Sequence, residues 1–439
     1  MNESRTVKVA LLGAGSVGSQ VARLLLEQSE AFAQRAGARL ELVGIAVRNV
    51  DAARDVDLPT ELFTTDAERL ILGADFVIEL MGGIHPALEL VTLALASGAD
   101  VVTANKALLA HHGPELFEIA ERVGAQLYYE AAVGGAIPII RPLRENLAGD
   151  RIERVLGIVN GTTNYILDRM HTEKDTLEES LRIATDLGYA EADPTADIEG
   201  FDAQQKAAIL ASIAFHTEVP VTTVSREGIT GISAGQIADA ERGGHVVKLL
   251  AICERVTDPD TGIEAVSARV HPTLVPADHP LASVHGGNNA IFVESAAAGP
   301  LMFYGAGAGG VQTASAVLGD LVSAARRHVA GGPGLGESMD ADLPIVAPEQ
   351  VSTRYQIALD VADEPGVLAQ VAQQFAEHNV SVATAEQSVA TDGGHAVLVI
   401  GTHTATEGAL QQLVQALAET SAVKRVTGVL RVLGEGVRA

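Results

Sequence analysis

The sequence predicts an α/β protein in three parts: a doubly wound parallel sheet, an α+β segment, and a small βαββαβ module at the C-terminal end. Three observations lead there. Short apolar runs alternate with helical patterns through the first third of the chain. That alternation ends near Leu143. A Gly- and Pro-containing stretch from Gly331 to Pro348 then sets off a compact last unit.

In residues 1–142, Val7–Leu12, Leu40–Val47, Phe76–Leu80, Val101–Thr103 and Leu127–Glu130 read as strands buried on both faces. Val17–Leu26, Pro86–Ala96 and Pro114–Val123 carry apolar residues at helical spacing, which makes the unit doubly wound. In residues 143–304, Arg154–Val159 and Ala265–Val270 read as strands. Leu177–Leu187, Asp202–Phe215 and Gly244–Val256 read as helices. The run Gly305–Gly310 opens one more helix, Thr313–Ala330, expected to return to the first unit. Residues 331–350 have the composition of a linker. Residues 351–439 hold strands Tyr355–Val361, Val382–Gln387, Ala396–Gly401 and Val426–Val432, with helices Val367–Glu377 and Ala409–Leu417.

The formal charge of −26 argues against nucleic acid or an anionic membrane as partner, since both require cationic surface. Bound phosphate must therefore be held by backbone N–H groups or a few placed bases. The single cysteine, Cys253, allows no intrachain disulfide and suits a reducing compartment. The segment Met1–Lys8 lacks the basic-then-apolar order of a secretory signal, and no apolar run approaches a membrane span. A cytoplasmic protein is expected.

Gly13-Ala-Gly15-Ser16-Val17-Gly18 follows an apolar strand and opens a helix, the context in which such a triplet binds a dinucleotide. Gly13 permits the turn, Gly15 admits a pyrophosphate, and Gly18 lets helix and strand approach closely. The amides at Ser16 and Val17 face the anion. This is the signature of a Rossmann-type domain. At the end of the second strand the chain reads Val47-Arg48-Asn49, without the acid that usually marks NAD. Arg48 can hold a 2′-phosphate, so NADP is favoured and NAD remains possible. A solvated loop arginine is the plainer alternative.

The densest chemistry lies between Gly188 and Lys206, where Glu191, Asp193, Asp197 and Asp202 precede one lysine. Asp202 and Lys206 stand at i and i+4, ordinarily a weak surface pair. The apolar run Ala207–Phe215 that follows points instead to burial. A lysine tuned by burial and acids can exchange a proton with a carbonyl or alcohol oxygen during hydride transfer. Neighbouring carboxylates suit a substrate ammonium.

Together with Thr103-Ala-Asn-Lys106, Asn160-Gly-Thr-Thr-Asn164 and Gly307-Ala-Gly309-Gly310, this segment resembles the homoserine dehydrogenases, over about residues 7 to 330. The resemblance implies interconversion of L-homoserine and L-aspartate 4-semialdehyde, on the route to threonine and methionine. It implies Lys206 as proton donor and acceptor, Asp202 placing the reacting oxygen, and Glu191 binding the amino group. Asp197 completes the acidic substrate cluster. Lys106 would lie near the nicotinamide and the substrate oxygen, although spacing alone also fits a solvated helix-start lysine. Thr162 would meet the substrate carboxylate, and Gly307, Gly309 and Gly310 would approach the cofactor. Glu130-Ala-Ala-Val133-Gly-Gly135-Ala-Ile137 matches a site where the carbonyls of Val133, Gly135 and Ile137, with Glu130, hold a monovalent cation, sodium. The family's second domain also dimerises, so a homodimer or homotetramer is expected.

Asp363-Glu-Pro365-Gly366 and Asn379 flank the first helix of the last unit, which resembles the ferredoxin-like ACT domain, a module that pairs with its own copy. Threonine is the expected effector, with its carboxylate at Gly366 and its polar groups at Asn379. A purely assembling module is the alternative. Two other functions compete. An acylating semialdehyde dehydrogenase needs a nucleophilic cysteine, whereas Cys253 lies in an apolar run read as helix, without a base beside it. A non-catalytic NADP and amino-acid sensor would keep the glycines but would not need Lys206.

Overall fold

The computed structural model describes residues 5–258, 261–331, 336–389 and 395–434. Strands β1 (Thr6–Leu12), β2 (Arg39–Ala46), β3 (Phe63–Thr64), β4 (Phe76–Glu79), β5 (Asp100–Thr103) and β6 (Leu127–Tyr128) form a parallel sheet in the order β3-β2-β1-β4-β5-β6. Successive residues of β1 feed opposite cores. Val7, Val9 and Leu11 pack with helix Ser16–Glu27. Ala10 and Leu12 pack with helices Ala87–Ala96 and Lys106–Val123. Ala314, Val317 and Leu321 of helix Gly310–Ala330 also lie in the first of these cores, so a segment distant in sequence closes the sheet's face. The strand order reverses between β1 and β4, which leaves a crevice at their carboxyl ends.

The second sheet contains β7 (Ile152–Ile158), β8 (Ser225–Arg226), β9 (His245–Thr257), β10 (Glu264–Pro276), β11 (Asn288–Ser295), β12 (Gly299–Ala306), β13 (Ser352–Ala362), β14 (Val382–Val389), β15 (His395–Thr402), β16 (Ala405–Thr406) and β17 (Val423–Val432). Its main path is β12-β11-β7-β9-β10-β17-β13-β15-β14, with β8 on β10 and β16 on β13. The C-terminal module is thus part of the same sheet. Within the module the strand order is fourth, first, third, second, the ferredoxin-like arrangement, over a core that includes Ile357, Leu359, Phe375, Leu398 and Leu413.

The structure corrects one expected element. Gly244–Val256 is not a helix: His245–Thr257 is a strand paired with β10 along its whole length. Val247, Leu249, Ala251 and Cys253 join one core, while Leu250 and Ile252 join the other. A strand buried on both faces is apolar throughout, and such a run carries no periodicity to separate it from a helix. Elements without an expected counterpart include the hairpin β11–β12 and the helices Ser29–Ala36 and Ala234–Arg242.

The segment expected as a linker is held against the body wherever it is described. Glu337 pairs with Arg144 at 2.9 Å and accepts from the Tyr129 hydroxyl. The amide of Val266 donates to Pro344, and that of Val346 donates to Val266. Leu433, just past β17, is buried with Leu156, Leu250 and Val275 of the catalytic half.

Candidate active site

Each glycine of the first turn has its own physical reason. Gly13 sits at φ +99°, and a Cβ there would fall 2.8 Å from the Leu80 carbonyl oxygen. At Gly18 a Cβ would fall 2.1 Å from the Gly13 oxygen, so helix and turn meet backbone to backbone. A Cβ at Gly15 would meet nothing within 4 Å, the open approach that a pyrophosphate needs. Helix Ser16–Glu27 has no side-chain cap and no acid in its first turn, which leaves the amides at Ser16 and Val17 for an anion.

A second glycine run meets this turn. A Cβ at Gly310 would lie 2.8 Å from the Ser16 carbonyl oxygen, and Gly309 holds φ +128° at the start of helix Gly310–Ala330. Gly307 leaves room for Asn289, whose buried Oδ1 has no partner among the described residues. Gly135 leaves room for the Gly307 carbonyl, and the Ala136 amide donates to Ala306 at 3.1 Å. Arg48 is exposed just past β2. Arg54, by contrast, is tied to the carbonyls of Asn49, Val50 and Ala52 and lies 4.1 Å from the Phe63 ring.

The chemical cluster is built around one carboxylate. Asp202 Oδ2 accepts from Lys206 Nζ at 2.8 Å and from Asn160 Nδ2 at 2.9 Å, while Oδ1 pairs with Lys106 Nζ at 3.0 Å. Lys206 Nζ also donates to the Val159 carbonyl at 2.6 Å. Asp202 and Lys206 are each only 8% exposed, which separates them from the weak surface pair that their spacing alone suggests. Burial by itself would raise the Asp202 carboxyl, but Lys206 and Lys106 overcome it and hold the group well below the usual carboxylate range. Asp202 in turn pushes the Lys106 ammonium up, against its partial burial.

Lys106 is aimed by the strand ends. Buried Glu79 accepts from the Thr103 hydroxyl at 2.6 Å, and that hydroxyl accepts from the Asn105 amide at 3.0 Å. The Asn105 side chain caps the Lys106 helix through the Leu108 amide. Asn160 caps its own helix through Thr163 and spans Asp197 and Asp202. Burial raises the Asp197 carboxyl, opposed by the Asn160 hydrogen bond.

Other expected residues are more loosely gathered. Thr162 donates its hydroxyl to the Tyr189 carbonyl at 2.7 Å. Glu191 is exposed at the rim and raises Lys106 through its charge. The Glu130 carboxylate accepts from the amides of Ile139, Ile140 and Arg141, so its side chain braces the following turn. Among the described residues, no hydrogen bond ends on the carbonyls of Val133, Gly135 or Ile137. Gly366 (φ +95°) and Asn379 lie beyond opposite ends of an 11-residue helix that is itself about 16 Å long at the usual rise, so one chain cannot bring both to one small ligand.

The reading from residues alone gave no role to Asn160, Glu79, Thr103 or Asn105. Asn160 carried a signal, being an Asn at the start of a helix within a quoted motif. Glu79 carried none, since a strand-end acid in sequence does not reveal what it will face. Cys253 is buried on β9, donates to the Ala207 carbonyl, and has its thiol pushed up to about 12 by burial, so thioester chemistry has no nucleophile there.

A dinucleotide crevice facing a buried lysine–carboxylate pair defines the class, a nicotinamide-dependent oxidoreductase. A family model described as homoserine dehydrogenase matches residues 138–322, and that family's NAD-binding domain matches residues 13–130. The ACT domain model matches residues 355–421. The homoserine dehydrogenase of Corynebacterium glutamicum is 52% identical over 427 residues, covering 97% of this chain and 95% of the relative. The solved homoserine dehydrogenase of Thiobacillus denitrificans superposes with a TM-score of 0.91 at 38% identity, covering 98% of this chain and 99% of that one. A hyperthermophilic archaeal homoserine dehydrogenase in complex with NADPH gives 0.61 at 27% identity, over 75% of this chain and 99% of that one. The chain belongs to the homoserine dehydrogenase family and interconverts L-homoserine and L-aspartate 4-semialdehyde with a nicotinamide cofactor.

Gly18→Ala should weaken NADPH binding by at least about tenfold, or about 1.4 kcal/mol, because the added methyl forces the Gly13 turn open. Fluorescence titration of NADPH measures this, and wild-type affinity would show that the contact can relax.

Proposed function

We propose that Lys206 is the acid and base of the reaction. The observation that carries this is its burial between Asp202 and the Val159 carbonyl, which engage two of its three N–H donors and leave the third for the substrate oxygen. When bound, the nicotinamide supplies hydride to the aldehyde carbon or accepts it from homoserine. Lys206 gives the oxygen its proton in reduction and takes it back in oxidation. Lys106, pushed up by Asp202, acts as a fixed positive charge beside that oxygen. Asp202 holds both lysines in place, Glu191 and Asp197 meet the substrate ammonium, and Thr162 meets its carboxylate.

NADP is the cofactor this reading favours. Arg48 stands exposed at the end of β2 with no acid in the ribose position. A sodium ion would rest on the carbonyls of Val133, Gly135 and Ile137, bracing that turn against Gly307. Glu130 would support it through the chain rather than through its occupied carboxylate. Threonine would bind at the amides past Gly366, where a Cβ would meet only open space. Asn379 would come from a second copy of the module, which makes the enzyme at least a homodimer. No helix among the described residues is long and apolar enough to cross a membrane, and a cytoplasmic metabolic enzyme is the reading that fits.

Lys206→Ala should lower kcat by about two to four orders of magnitude with cofactor affinity little changed. A steady-state assay reads this, and near-wild-type turnover would exclude the role. Arg48→Asp should raise the Kd for NADPH far more than that for NADH; equal losses would make Arg48 a bystander. Gly366→Glu should abolish inhibition by threonine while preserving turnover. Leu433 belongs to the catalytic core, so this point variant separates regulation from folding better than deletion of the module. Undiminished inhibition would leave the helix start without that role.

A further inference from the structure

Behind the substrate site stands a buried lysine that the proton transfer does not use. Lys248 lies on β9 and is 2% exposed. Strand alternation puts it on the face that carries Leu250 and Ile252 into an apolar core. Its Nζ donates to the Val284 carbonyl at 2.6 Å and to Asn164 Oδ1 at 3.0 Å, both neutral acceptors. Burial pushes the ammonium down to about 8, and Asp168 is the acid whose charge opposes that push. Among the described residues Asp168 forms its ion pair with His285 instead, and its other oxygen accepts from the Gly286 amide at 2.8 Å. The lysine is a cation in the interior with hydrogen bonds but no counter-charge in contact, an arrangement that folded proteins ordinarily avoid.

The groups around it converge on the start of one helix. Asn164 is the fourth residue of helix Gly161–Thr172, about 4.5 Å along the axis from Gly161 at the usual rise. Its Nδ2 donates to the carbonyls of Val284, Gly286 and Asn288. Lys248, Asn164 and Asp168 together clamp the turn 284–288 against this helix. The turn then walls the helix start. A Cβ at Gly161 would fall 2.6 Å from the Gly287 carbonyl oxygen, and one at Gly287 would fall 2.4 Å from the Tyr189 ring. That ring stacks on Tyr165 with centroids 4.6 Å apart, and the Tyr189 carbonyl receives the Thr162 hydroxyl.

We propose that Lys248 is a positioning residue for the substrate carboxylate: its buried ammonium is the counter-charge for an anion held at the amides of Gly161 and Thr162, and its hydrogen bonds hold the turn that walls that place. The proposal rests on the reading that Thr162 meets the carboxylate, and adds the charge that makes such a meeting favourable. A helix start carries only about half an elementary charge. The Asn160 cap of this helix also holds Asp197 and Asp202, whose field opposes a second carboxylate nearby. Lys248 supplies the opposite sign from within about one helical turn, through a poorly screening interior. Arrival of the anion offsets the burial of the lysine, so each charge favours the other.

Two ligands that compete with homoserine separate charge from shape in the full-length enzyme. L-2-Aminobutyrate keeps the carboxylate and the ammonium of homoserine, whereas 3-amino-1-propanol keeps the ammonium and the hydroxyl but has no carboxylate. In Lys248→Met the Ki of L-2-aminobutyrate and the KM of homoserine should rise about tenfold or more. The Ki of 3-amino-1-propanol and the Kd of NADPH should stay near their wild-type values. Lys248→Gln retains a neutral donor and should show the same selectivity, which covers the case in which Lys248→Met does not fold. Equal losses for the two ligands would make Lys248 a brace of the turn alone and overturn the proposal, as would no loss for either. Thr162→Val tests the underlying reading separately, and should also weaken L-2-aminobutyrate selectively. Selective loss there with none in the Lys248 variants overturns the charge role and leaves the carboxylate site standing. Selective loss in the Lys248 variants with none in Thr162→Val supports the charge role and overturns the contact at Thr162.

Discussion

The Asp202 carboxylate is the contact on which the rest of the site depends. A buried charge is tolerated only when paired and hydrogen-bonded, and this one is met by two ammonium groups and an amide. Those partners come from three places: the helix after β5, the turn after β7, and the carboxylate's own helix. The carboxylate therefore fixes how the dinucleotide-binding unit docks on the substrate unit. Neutralising it would leave Lys206 buried beside a carbonyl with no counter-charge. The geometry needed for chemistry and the pairing needed for stability are here the same arrangement.

The cofactor turn of this acidic protein is shaped by backbone packed directly against backbone. The first glycine turn and the run at Gly307–Gly310 converge because neither carries a Cβ at the point of contact. Gly18 meets Gly13, Gly310 meets Ser16, and Gly135 meets Gly307, each closer than any side chain would permit. The helix N-termini at Ser16 and Gly310 thereby lie together at the crevice. The same steric logic continues toward the substrate, where Gly287 admits the Tyr189 ring and Gly161 admits the Gly287 carbonyl.

The C-terminal module is joined to the catalytic half by sheet pairing and by the described part of the 331–350 segment, not by a free tether. Leu433 enters the core of the catalytic half, and Ile345 bridges to Val266. A change in the module's position must therefore strain β10, whose opposite face supports the helix bearing Asp202 and Lys206. The module and the catalytic helix are thus in contiguous mechanical contact without a hinge.

Much was legible in the residues because it is local. Strand–helix alternation, the Gly13–Gly18 turn and the Asp202–Lys206 spacing depend only on neighbours in the chain, and both core periodicities follow from backbone geometry. Whether the run Val246–Cys253 is helix or strand is not local: an apolar stretch buried on both faces is settled by its partner, here the full length of β10. The same limit hid Glu79 and Asn160, whose roles exist only once distant strand ends meet. The sequence by itself determined the alternating elements of the first unit, the cofactor turn and the chemical groups. Tertiary structure alone decided which charges share a carboxylate, and that one sheet runs through both halves of the molecule, because pairing and burial are properties of contacts that the chain's order does not contain.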